Sequence, residues 1–148
     1  MSAPLNQTLA GIKQMMQGAD IDYSLLAAQN IDLAWLAHYE HQRIVNSFLF
    51  NYLKIQDKIG GKLFRLLLQY WHELDDSMTM LDILNRLEKL RIIDSVEAWD
   101  TLREIRNTLT HEYPEDVQLR LDNIRLSLAG YLQLKQIIAN IEHALNAP

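Results

Sequence analysis

Apolar residues recur along this chain at spacings of three and four, the period of helices that bury one face. Residues from about 4 to 17 are weakly amphipathic and predict a short helix ending at the turn-like Gly18-Ala19-Asp20. From Asp32 a second register carries Leu36, Tyr39, Ile44, Phe48, Tyr52, Ile55 and Ile59. Gly60-Gly61 then interrupts it, at a cost of about 1 kcal/mol per glycine relative to alanine in a helix interior. Leu63, Leu66, Leu67 and Tyr70 nevertheless continue the register. The favoured reading is one long, kinked helix whose glycines admit a close neighbour; a break at the pair is the alternative.

Asp75-Asp76-Ser77 reads as a loop that can cap a helix over about 78 to 90, with Leu81, Leu84, Leu87 and Leu90 as its face. Asp94-Ser95 precedes a further helix with Glu97 in its first turn, where a negative charge suits the helix dipole. Its stripe is Ala98, Leu102, Ile105 and Leu109. Pro114 disfavours helical geometry at the residue before it, so the helix should end near Glu112, with His111 in the last turn and Tyr113 on the exit. A last long helix, about 115 to 145, repeats Leu121, Ile124, Leu128, Tyr131, Leu132, Ile138, Ile141 and Leu145. The pattern is all-α, with no repeat or linker, and is read as a single domain over 1–148 with residues 1–30 as an N-terminal helical extension.

Composition narrows the function. A chain of 148 residues that is 49% hydrophobic should bury roughly 70% of its unfolded surface around one core. No apolar run approaches the ~20 residues of a membrane span. The start M-S-A-P-L-N-Q lacks the basic and apolar blocks of a secretion signal. Without cysteine there is no disulfide, thiol nucleophile or thiolate metal site, and a cytoplasmic location is expected. The net charge of -5 argues against non-specific binding to long nucleic acid. Arg86, Lys89, Arg91, Arg103 and Arg106 alternate with Glu88, Asp94, Glu97, Asp100 and Glu104, as on a solvated mixed-charge face, so any RNA contact should be confined to a cleft.

The richest chemistry lies in Arg106-Asn107-Thr108-Leu109-Thr110-His111-Glu112-Tyr113-Pro114. At about 100° per residue, Asn107 and His111 point away from the apolar stripe and Arg106 falls at its edge. A plain reading exists: a last-turn histidine interacts favourably with the helix dipole, and Arg106 pairs with Asp100, Glu104 or a neighbouring helix. Together the residues suggest more. Histidine can take a proton from a 2′-hydroxyl near neutral pH, arginine offers a planar fork of donors to phosphoryl oxygens, and Asn107 can orient either. Such a reaction needs neither metal nor cofactor.

The run R-N-T-L-T-H-E-Y resembles the motif of HEPN-superfamily proteins, an arginine followed by a polar residue, a short spacer and a histidine. It is most similar to the HepT-like branch, whose pattern is arginine, any four, histidine, any one, tyrosine; Arg106, His111 and Tyr113 match it, and Asn107 is the polar residue. From about Arg43 to Tyr113 the chain, including K-I-Q-D-K-I-G-G-K-L-F and L-N-R-L-E-K-L, also resembles small bacterial proteins encoded beside nucleotidyltransferases. The resemblance implies an antiparallel bundle of four to six helices that forms a homodimer, with Arg106 and His111 cutting RNA in a composite cleft. It further implies a minimal nucleotidyltransferase antitoxin as partner, with Tyr113 as acceptor of nucleotidyl groups that silence the ribonuclease. Related proteins act instead as non-catalytic substrate-binding subunits of nucleotidyltransferases, and that alternative stands.

Other candidates are weaker. His38 and His41, three apart, lack the remaining ligands of a metal set and suit a polar or interface face. His72-Glu73 lacks the second histidine of HExxH, and no GxxxxGK loop is present. Trp35, Trp71 and Trp99 read as core or interface anchors.

Overall fold

The Ser2 hydroxyl accepts the Leu5 N–H at 3.3 Å and starts helix α1 (Ala3–Ala27). In this computed structural model, which describes residues 2–109 and 116–147, α1 runs straight through Gly18-Ala19-Asp20. The expected stop after residue 17 is therefore corrected, and tertiary packing is the reason. Leu5, Leu9, Ile12, Met16, Ala19 and Leu26 keep one buried register across the glycine. The Asp20 carboxylate accepts the Tyr131 hydroxyl at 2.6 Å and pairs with Lys135 at 3.0 Å. The first 30 residues are thus part of the core and not an appendage, since Leu5, Ile12 and Ala19 are fully buried.

The second register is not one rod from Asp32. Asp32 caps a short α2 (Leu33–Leu36) by accepting the Trp35 N–H at 2.8 Å. The side chains of His41 and Gln42 then donate to the Trp35 and Leu36 carbonyls, at 2.6 and 3.0 Å. Those carbonyls are satisfied from outside the helix, so α2 closes and α3 (Tyr39–Lys58) begins in a new direction. His41 also stacks on Trp35, with ring centroids 4.1 Å apart.

At Gly60-Gly61 the favoured reading holds. A π-helical turn (Ile59–Leu63) joins α3 to α4 (Phe64–Tyr70) without a break. A regular helix continuing Phe48, Tyr52, Ile55 and Ile59 would turn Lys62 inward; the wider turn leaves Lys62 exposed and buries Leu63, Phe64, Leu67 and Leu68. A Cβ on Gly60 would lie 2.8 Å from Trp99 Cζ2, so this glycine does admit a close neighbour.

The next helix, α5 (Met80–Lys89), starts later than expected because Thr79 is its cap. The Thr79 hydroxyl accepts the Asp82 N–H at 3.2 Å, and Asp82 accepts the Thr79 N–H at 2.9 Å, a reciprocal capping box. Its buried face is Ile83, Leu84 and Leu87; Leu81, expected inside, is exposed. Helices α4 and α5 both end in Schellman geometry, with His72 (φ 58°) and Arg91 (φ 61°) in the left-handed position normally given to glycine.

Helices α6 (Val96–Thr108) and α7 (Val117–Asn146) complete the chain. The described residues form helices and no strand. Side-chain pairs give the directions. Asp22 accepts from Ser47 while a Cβ on Gly18 would meet Asn51, so α1 and α3 are antiparallel. Asp57 pairs with Arg106 and Gly60 meets Trp99, so α3 and α6 are antiparallel too. Ile92, just before α6, accepts from Asn140 while Leu102 meets Gly130, which sets α6 against α7 in the same sense. Lys13–Glu142 and Asp20–Lys135 close the ring between α1 and α7. One apolar cluster runs through all of these helices. No described helix is long and apolar enough to cross a membrane.

Candidate functional site

Ser95 caps α6 by accepting the Ala98 N–H at 2.9 Å, and Trp99, Leu102 and Ile105 form its buried stripe. Trp99 anchors this helix: it is buried and packs on Phe64 with ring centroids 4.8 Å apart. With that face fixed, Asn107 points to solvent and Arg106 sits half-buried at the stripe's edge, as the helical period required. The helix ends at Thr108, earlier than the expected Glu112, and Leu109 caps it by donating to the Ile105 and Arg106 carbonyls. The expected placements of His111 in the last turn and of Tyr113 on the exit lie outside the described residues.

Arg106 reaches across to α3. Its Nε donates to Asp57 Oδ1 at 2.7 Å and its Nη2 to Asp57 Oδ2 at 2.8 Å, a bidentate, charge-assisted pair. The Arg106 side chain is 29% exposed and that of Asp57 46%, so the pair contributes at most about 1 kcal/mol to stability. The hydrogen bonds that Arg106 donates to Asp57, helped by the carboxylate's charge, hold the guanidinium pKa above its ordinary value. One edge of the fork is engaged; Nη1 has no partner among the described residues.

This pair borders an open cleft of about 430 Å³ between the end of α3, the π turn and α6. Gln56 and Asp57 line one side, Arg103, Arg106 and Asn107 the other, and Gly60-Gly61 lowers the wall between them. Arg103 is itself paired with Asp100 at 3.3 Å. Gln56 is almost wholly buried, and its Oε1 has no hydrogen-bond partner among the described residues. The cleft thus brings Arg106 and Asn107 together in a setting where a planar donor group is presented to solvent.

Compared with family models, curated proteins and solved structures, the chain has no match. The chemistry has to be read from its own residues. Asp57 and Gln56 were not legible as site residues, because their link to α6 spans 49 positions and leaves no local pattern. One signal was present: Asp57 is the only carboxylate between Glu40 and Glu73. A lone acid in a basic and apolar segment marks a candidate partner for a cation on another helix.

Proposed function

We propose that this chain is a metal-independent endoribonuclease toxin, paired with a minimal nucleotidyltransferase antitoxin and acting through Arg106 and His111 in a homodimer cleft. His111 removes the proton of a ribose 2′-hydroxyl, and the oxygen attacks the adjacent phosphorus. The bond to the 5′-oxygen breaks, that oxygen takes up a proton, and a 2′,3′-cyclic phosphate remains. Arg106 stabilises the charge gathering on the phosphoryl oxygens, Asn107 orients, and Tyr113 is the acceptor for silencing by nucleotidylation. The observation that supports this reading best is the guanidinium of Arg106 beside Asn107 on an open cleft, five residues before His111 in the sequence.

The alternative is a non-catalytic substrate-binding or partner-binding subunit of a nucleotidyltransferase. It draws support from Asp57, which neutralises Arg106, and from the net charge of -5. Cleavage of a labelled RNA panel by purified wild type, Arg106→Ala and His111→Ala, with fold, dimerisation and the mass of the Tyr113 peptide checked, separates the two. Cutting that is lost in both variants is expected. Intact RNA after incubation with unmodified wild-type dimer would leave the binding subunit.

A further inference from the structure

The carboxylate of Asp57 meets Arg106 in the same two-point geometry that a phosphate would use, with distances of 2.7 and 2.8 Å on neighbouring N–H groups. Asp57 is nearly half-exposed and sits on the wall of the cleft itself, so it occupies the place from which a ligand would approach. The other arginine on the cleft, Arg103, is likewise held by Asp100. Both cations on the cleft are therefore already answered by carboxylates of this chain. An anion arriving there meets little net positive field, and it can use the Nε edge of Arg106 only by taking it from Asp57.

We infer that Asp57 is an internal competitor for phosphate at Arg106: the ion pair is a closed form of the cleft, and a phosphate group binds by exchanging with the carboxylate. This deepens the Arg106 site proposed above, since it makes ligand binding an exchange of one anion for another and sets a threshold against casual anions. Partial exposure of both side chains makes the exchange cheap, because the released carboxylate turns to water and not into an apolar wall. Wild type accordingly binds phosphate groups weakly. Removing the charge of Asp57, while keeping its shape, leaves the whole fork to the ligand.

The test is titration of the full chain, wild type and Asp57→Asn, with inorganic phosphate and separately with a single-stranded DNA oligonucleotide, following the Arg106 Nε–H resonance. DNA has no 2′-hydroxyl and is not cut by the proposed route, so binding is read apart from cleavage. Asp57→Asn should tighten both ligands by about tenfold, a difference of about 1.4 kcal/mol, and the gain should vanish in Asp57→Asn/Arg106→Ala. A gain with the oligonucleotide alone means that the exchanging group is a phosphodiester within a strand. A gain with both means that any phosphate serves. Equal or weaker binding by Asp57→Asn overturns the inference, as does a gain that survives without Arg106. If Asp57→Asn does not fold, wild type decides: its Arg106 Nε–H signal must move as phosphate is added, and a signal fixed at saturation overturns the exchange. Failure of RNA cleavage, by contrast, would remove the ribonuclease reading and leave this result intact.

Discussion

Replacing Gly130 by alanine tests how α6 is held in place. The new methyl carbon would lie 2.8 Å from the Tyr52 hydroxyl, 3.2 Å from Leu102 Cδ2 and 3.3 Å from Ile105 Cδ1. Tyr52 is fully buried and its hydroxyl donates to the Leu102 carbonyl at 3.3 Å, so it can retreat only by breaking that bond or pushing α6 outward. Overpacking of this kind costs about 1–3 kcal/mol. Relief of a helical glycine returns about 1 kcal/mol, which leaves a net loss of about 1 kcal/mol. Gly11→Ala in α1 is the matched control: nothing lies within 4 Å of its Cβ, so the gain of about 1 kcal/mol is unopposed. The two variants should differ by about 2 kcal/mol in urea unfolding at unchanged m-value. In the Tyr52→Phe background the penalty at Gly130 should shrink, because the hydroxyl it meets is gone. If Gly130→Ala stabilises as much as Gly11→Ala, the close approach of α7 to α3 and α6 is not what excludes a side chain there.

Three further outcomes follow from single contacts. Arg91→Gly relieves a left-handed backbone at φ 61° on an exposed residue and should raise stability by about 0.5–1 kcal/mol in the same assay; a loss would mean that the arginine side chain contributes more than the strain removes. Gln56→Met replaces a buried amide, whose Oε1 has no partner among the described residues, with a side chain of similar length. It should stabilise by about 1 kcal/mol, and a loss of that size would show that the oxygen has a partner in solution. Tyr131 has its pKa raised, by burial first and by its hydrogen bond and charge contact with Asp20 next. A raised folded pKa stabilises the protein fully below the ordinary tyrosine value near ~10 and loses that contribution as pH climbs above it. The alkaline fall in stability should therefore be shallower in Tyr131→Phe, and an unchanged slope would exclude Tyr131 as its source.

Much of the fold was written in local pattern. Most of the α7 stripe (though not the exposed Leu132), the Ser95 start of α6 and the outward placement of Asn107 follow from period and capping, which act within a few residues. The misreadings share a cause in side-chain contacts that period alone does not show. Gly18 looks like a stop until Asp20 is seen bound to Tyr131, 111 positions away. Helix α2 closes because His41 and Gln42 fold back on its carbonyls, and Leu81 yields the inner face of α5 to Ile83. At the site, Arg106 and Asn107 were legible because the motif is contiguous. Asp57 was not, because the residue that answers Arg106 sits on another helix, and its own neighbours do not announce it.

The π turn has a consequence for how this chain tolerates changes in length. A regular helix cannot lose a residue without rotating everything beyond it by about 100°. Here the widened turn already holds one residue more than a helix of that span needs, and the faces before and after it, Ile55 and Ile59 on one side and Leu63 and Leu67 on the other, are aligned on that basis. Deleting Gly61, where an added Cβ would meet nothing within 4 Å, would convert the turn to ordinary α-helix and leave both faces in phase. The same deletion in the middle of α3 would put the buried faces before and after it out of phase. Loss of a single residue should therefore be accepted in this rod at the glycine pair and rejected in the middle of the helices on either side.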